Sequence, residues 1–130
     1  MFSHTTLGTD DLPASLAFYD AVLSLLGHHR KFADQHWAGW KPATADRPLF
    51  IVTAPFDGQP AAPGNGQMLA FAAPTRALVD QAYTAALATG GTDEGAPALR
   101  PHYHPAYYGA YVRDPSGNKL CICCHAPEAD

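Results

Sequence analysis

The feature that most limits how this chain can fold is an internal repeat offset by 64 residues. Phe2 to Leu7 reads as a short strand of aromatic and β-branched residues. Asp10 or Asp11 can cap a helix, with Pro13 tolerated in its first turn. Leu12, Leu16, Tyr19, Leu23 and Leu26 keep helical spacing on one face, and Gly27 supplies the stop. The pattern then restarts. Met68 to Ala73 reads as a strand, and Thr75 caps a helix whose apolar side holds Leu78, Val79, Ala82, Tyr83, Ala86 and Leu87. Gly90-Gly91 ends it. Tyr19 falls on Tyr83, Ala21 on Ala85, Leu23 on Leu87 and Gly27 on Gly91. The identities are few, but strand, cap, helix and glycine stop all keep register.

Strand signals follow each helix. In the first half they are His28 to Phe32, Trp37 to Lys41 and the continuous apolar run Leu49 to Thr53. Ala54 to Gly66, rich in Pro and Gly, reads as a linker. In the second half a weak strand near Thr92 to Ala96 precedes a loop from Pro97 to Pro105 and a hairpin from Tyr107 to His125. Its turn, Asp114-Pro115-Ser116-Gly117-Asn118, has a carboxylate to accept from the backbone, a proline with preset φ and a glycine that can take positive φ. Alternation places Leu120, Ile122 and Cys124 on a core face. Lys119, Cys121, Cys123 and His125 then share a wetter one. Each half reads as strand, helix, then two or three strands. Neither half can bury both faces of its sheet alone, so the two copies are expected to associate. The expectation is an α+β fold in a single domain over 1–130. Module one spans about 1–54, the linker about 55–65 and module two about 66–126.

Composition narrows the function classes. No apolar run reaches the roughly 20 residues of a membrane helix, and the start of the chain has no basic segment followed by an apolar one. The net charge of −4, without a basic cluster, argues against a nucleic-acid partner. Cys121, Cys123 and Cys124 lie too close together on one strand to pair readily with each other. They read as reduced thiols of a cytoplasmic protein, with small apolar filler the plain reading, above all for Cys124.

Phe2-Ser3-His4-Thr5-Thr6-Leu7, Ser15-Leu16-Ala17-Phe18-Tyr19 with Gly27 behind it, and Arg113-Asp114-Pro115-Ser116-Gly117-Asn118 together resemble the vicinal oxygen chelate superfamily of glyoxalase, bleomycin-resistance and extradiol-dioxygenase-type proteins. The resemblance implies two βαβββ modules forming a half-open barrel. It also implies a site in which a divalent metal lets two neighbouring oxygens be held and a developing enolate or bound peroxide be stabilised. Its ligand positions fall on His4, Met68 and Cys121, where the family pattern carries His, His and Glu. Only His4 keeps the type. A thioether is a poor ligand for hard cations, and His4 with Cys121 gives fewer protein ligands than a catalytic zinc site uses. The expected function is therefore a glyoxalase/bleomycin-resistance-like protein with a small-molecule pocket and a degraded or absent metal site. The alternative is a metal-dependent lyase, dioxygenase or resistance transferase using His4 and a non-standard set to hold Zn, Mn, Fe or Ni. The resemblance further implies a homodimer.

Other residues suggest a pocket. Arg100, His102, His104, Tyr107 and Tyr108 cluster before the hairpin. There Arg can grip a carboxylate bidentately, and His and Tyr can orient polar ligand groups. Met68, Tyr111 and Cys123 are expected to line the same space. Trp37 and Trp40 are placed either there or at a dimer contact. Cys121-x-Cys123-x-His125 and His102-Tyr103-His104 each offer alternating soft-metal ligands, though alternate strand residues stand about 6.6 Å apart, wide for one tetrahedral ion.

Overall fold

The computed structural model describes residues 1–128. Its element order is β1 (His4–Gly8), α1 (Leu12–Leu25), β2 (His28–Ala33), β3 (Trp37–Pro42), β4 (Leu49–Thr53), β5 (Leu69–Ala72), α2 (Arg76–Ala88), β6 (Thr92–Leu99), β7 (Tyr108–Arg113) and β8 (Lys119–Cys124). The first four strands form one sheet in the order β1-β4-β3-β2 and the last four a second in the order β5-β8-β7-β6. The two orders are the same permutation. In each sheet the first strand of the unit pairs parallel to the last, and the others pair antiparallel. The repeat is thus two βαβββ modules, with sheets left open rather than closed into a barrel.

The helix ends follow the capping chemistry. Asp11 accepts from the Ala14 amide at 3.1 Å, and Thr75 accepts from Leu78 at 3.2 Å. Gly27 and Gly90 take positive φ after the two helices. The buried stripe of α1 is rotated from the leucine spacing. Ser15, Phe18, Tyr19, Val22 and Leu23 are its fully buried residues, while Leu12 and Leu16 are only half-buried. Ser15 can be buried because its hydroxyl donates to Thr9 Oγ1 at 2.9 Å. On α2 the buried side reduces to Val79, Ala82 and Ala86, and Leu87 is exposed. These small residues bring α2 close to α1, and one core joins both helices to Trp40, Phe50 and Val52 of the first sheet and Val112, Leu120 and Ile122 of the second.

The β7–β8 turn ties the modules together. Asp114 is buried and accepts from the amides of Ser116 and Asn118, both at 2.9 Å, and from Asn118 Nδ2 at 2.9 Å. Tyr19 of α1 donates its hydroxyl to the same carboxylate at 2.5 Å. Burial first, and the Asp114 charge second, hold the Tyr19 phenol well above its ordinary range, so it stays a donor. Asn118 Nδ2 also donates to Gly8 O at 2.9 Å, and the Ser116 and Thr9 hydroxyls meet at 2.8 Å. Polar groups of module two therefore satisfy backbone and side chains at the end of β1.

Candidate functional site

Strand pairing sets the working face. Leu120, Ile122 and Cys124 point into the core, as alternation requires. Cys121 and Cys123 lie on the opposite face, yet they are 0% and 4% exposed, so that face is not the wet wall the sequence suggests. It is roofed by the loop 100–107. This loop is closed by its own backbone: Arg100 N donates to Tyr107 O at 2.8 Å, Tyr103 N to Arg100 O at 3.0 Å and Tyr107 N to His104 O at 3.1 Å. The closed loop lays Tyr107 against the strand. Its hydroxyl lies 3.3 Å from Cys121 Sγ and 3.3 Å from the Tyr111 hydroxyl. Gly109 makes room for this ring, since a Cβ there would stand 2.8 Å from it.

Electrostatics follow from the crowding. Burial pushes the Tyr107 and Tyr111 phenols up. The two sulfurs move apart. Cys121 is pushed up, by Cys123 beside it first and by burial second. Cys123 is pushed down to about 6, by the Cys121 thiol first, with Tyr107 and His125 adding against the cost of burial.

On the other side of Tyr111 lies an open polar cleft of about 670 Å³. Arg100, Tyr103, Tyr111, Arg113, Lys119 and Glu94 line it, together with Gly64 to Met68, the end of the linker and the approach to β5. A smaller hollow of about 240 Å³ adjoins it along Gln67, Met68 and Lys119 towards Thr5 and Thr6 of β1. Arg100 and Lys119 sit 5.1 and 5.8 Å from the Tyr111 ring centre. Arg113 is held by Glu94 at 2.6 Å. Arg100 Nη2 donates to Ala96 O at 3.0 Å, while its buried Nε has no partner among the described residues. The cleft thus offers three cations against one carboxylate.

The three positions suggested for a metal lie in different settings. His4 is exposed, and its Nδ1 lies 2.9 Å from Ser3 Oγ. Met68 precedes β5, half-exposed at the edge of the cleft. Cys121 is paired across the sheet with Ala70, and its sulfur meets Tyr107. Among the described residues, no three His, Cys, Asp or Glu side chains are grouped to hold an ion. The donor set present does not fit the metal that the resemblance implies.

Of the suggested pocket residues, Arg100, Tyr111 and Met68 share the cleft, and Tyr107, His104 and Cys123 form the roofed cluster behind it. His102 stacks on Tyr103 with ring centres 4.2 Å apart and stays exposed. Trp37 is also exposed, its ring tilted against Phe32 and its Nε1 donating to Asp34 at 3.1 Å. Trp40 is a core residue, 1% exposed, with Nε1 donating to Asp20 at 2.9 Å. Its burial removes it from both the cleft and any dimer contact. Sequence reasoning missed Glu94, Arg113 and the linker wall. Lys119 was marked only by alternation. A linker whose Gly and Pro content says only "irregular" carries no sign of which strand it lies against.

The profile of the Glyoxalase/Bleomycin resistance protein/Dioxygenase superfamily matches residues 1–122. The chain belongs to that superfamily. It is similar to a glyoxalase/bleomycin resistance protein from Albidiferax ferrireducens T118, with 38% identity and a TM-score of 0.86, covering 97% of this chain and 99% of that one. A glyoxalase-related enzyme from Fulvimarina pelagi shares the fold, with TM-score 0.75 and 22% identity over 95% of this chain and 87% of its own. A lactoylglutathione lyase from Agrobacterium tumefaciens superposes with TM-score 0.65 and 25% identity over 95% of this chain and 92% of its own. No curated protein matches the chain. No helix among the described residues is long and apolar enough to cross a membrane.

Proposed function

We propose that this superfamily member binds a small anionic molecule, a carboxylate or phosphate ester, in the cleft around Tyr111, without a divalent metal of the family type. The observation that carries this reading is the lining. Among the described residues, Arg100, Arg113 and Lys119 line the cleft with Glu94 the one carboxylate, in a chain whose net charge is −4. A cationic cleft in an acidic protein concentrates anions. Arg100 Nε is a buried donor with no partner among the described residues. Tyr103 and Tyr111 offer flat surfaces for the rest of the ligand.

Calorimetric titration with benzoate, succinate and phenyl phosphate separates the two anion classes. Binding of at least one is expected, and Arg100→Ala or Lys119→Ala should weaken it about tenfold, the effect of losing one charge-assisted hydrogen bond. Binding insensitive to both substitutions would sink the cleft assignment. Metal analysis of purified, tag-free protein tests the other half. Stoichiometric Zn, Mn, Fe or Ni would instead support a metal-dependent enzyme built on His4.

The same reading includes a symmetric homodimer, since Phe2, which precedes the edge strand β1, and Trp37 of β3 are exposed apolar groups. Light scattering at micromolar concentration should report about twice the 13.8 kDa chain mass. A monomer across that range would count against it.

A further inference from the structure

Behind Tyr107, the roofed cluster contains a directed chain of hydrogen bonds that ends on a cysteine. The amide of Ala106 donates to His104 Nδ1 at 3.2 Å. That nitrogen is therefore an acceptor, and the one N–H of the neutral ring sits on Nε2. His104 Nε2 lies 2.9 Å from Nδ1 of His125, which must accept. The N–H of His125 then sits on its own Nε2, 3.6 Å from Cys123 Sγ. One backbone amide fixes both tautomers and aims a donor at the sulfur. The rings are held in place by packing: His104 and His125 stack at 5.2 Å, and Tyr107 meets each edge-on, at 5.7 and 5.4 Å. Because His125 uses its two nitrogens on different neighbours, the group is linear and does not form a ligand cage, consistent with the absence of a metal-holding group among the described residues.

We propose that Cys123 is a nucleophile held as a thiolate by the Ala106–His104–His125 chain, and that this face is a covalent-addition site for small, uncharged α,β-unsaturated carbonyl compounds. The Cys123 thiol is lowered by Cys121 first and Tyr107 next, with the His125 contact adding to both. Its neighbours do not share it. The Cys121 sulfur faces the Tyr107 hydroxyl, and Cys124 lies on the core face beside Ala126 O. The titratable groups around Cys123 are Cys121 of its own strand, Tyr107 of the loop and His125. Across the sheet, its partners are Ala72 and Gly109, which carry no charge. Cys123 is only 4% exposed, and His125, whose Nε2 lies 3.6 Å from its sulfur, is itself exposed, so addition requires that ring to move aside for a small reagent.

In the reaction, the sulfur lone pair forms an S–C bond to the β-carbon. The C=C π pair moves to the α-carbon as an enolate, and water protonates it. The hydroxide left behind neutralises the proton released when the thiol ionised. The net change is addition of S–H across C=C, with no oxidant or reductant.

The probe is acrylamide at pH 6, with adducts assigned by peptide mass spectrometry. A thiol titrating near 6 is about half ionised there, whereas an ordinary thiol is roughly 0.3% ionised. The lower basicity costs about tenfold in intrinsic nucleophilicity. The net expectation is that folded Cys123 reacts about tenfold faster than the same cysteine in urea, and ahead of folded Cys121 and Cys124. His125→Phe, which keeps the ring stack on an exposed residue, should lose that advantage. His104→Gln, which retains an N–H towards His125, should keep most of it, whereas His104→Phe should not. Circular dichroism establishes that each variant is folded. Equal labelling of the three cysteines, no labelling of the folded protein, or an unchanged rate in folded His125→Phe overturns the proposal.

Discussion

The two modules share strand order, pairing and helix placement, yet only one of them encloses a reactive face. In module one, β2 and β3 are joined by the tight turn 34–36, where Asp34 accepts from the amides of His36 at 2.8 Å and Trp37 at 3.2 Å. The matching connection in module two, 100–107, is longer and folds back over its sheet. One sheet therefore presents exposed residues such as His4 and Trp37, while the other buries Cys121 and Cys123 beneath Tyr107. Duplication supplied a common frame, and the longer loop lays a phenol over the second sheet where the first has the Phe32 ring over Gly39. A thiol or phenol under that roof feels low dielectric and fixed neighbours.

The largest effect is expected where the frames join. Asp114→Ala removes an acceptor that serves Tyr19, two amides and Asn118 Nδ2, and leaves buried donors unpaired. Urea denaturation should show a loss of about 3–5 kcal/mol. A loss confined to module two would mean that the modules are energetically separate, and the comparison would become one between two independent bodies.

A medium effect should strip the roof. Gly109→Val places side-chain atoms where the Tyr107 ring lies, and overpacking of this kind costs about 1–3 kcal/mol. The folded variant should expose Cys121 to alkylation that the parent resists. If Cys121 stays protected, Tyr107 is not what covers it.

The smallest effect belongs to module one. His28 lines an apolar hollow of about 290 Å³ with Trp40, Phe50 and Phe71. Burial first, and His29 second, lower its range. The unfolded chain therefore binds the proton more readily than the folded one. Stability is full above the ordinary histidine range and falls as pH drops through it, until the folded group also protonates. His28→Leu should flatten that part of a melting-temperature profile between about pH 7 and 5. An unchanged slope would place the acid sensitivity elsewhere.

Most of the frame was legible in sequence because it rests on local rules. Asp11 and Thr75 cap helices, glycines stop them, and Leu49–Thr53 is a buried strand. The Asp114-Pro115 turn also formed as its residues dictate, with Gly117 at positive φ. The helix face was misjudged because leucine spacing outweighs Ser15 in any hydrophobic count, and only the tertiary partner Thr9 makes that serine burial favourable. Strand limits moved for a similar reason. Pairing carried β6 on to Leu99, past Pro97, which a local reading treats as a breaker. The site was the least legible part. His104 and His125 are far apart in sequence and meet only because the loop closes on itself. Nothing in the pattern around either residue announces the other.

The knot between Asp114, Asn118, Tyr19 and Gly8 O also bears on how such a duplicated protein can be taken apart. A gene fragment ending in the linker would keep Tyr19 and the Gly8 carbonyl but lose both of their partners. The complementary fragment would keep the turn with its carboxylate facing solvent. Having grown mutually dependent at one small polar junction, the halves can no longer be traded singly for a foreign copy unless that copy brings the same turn. In amide hydrogen exchange, the slowest protons should fall on both sides of this junction and share one opening free energy, so that two ancestral units report as one cooperative body.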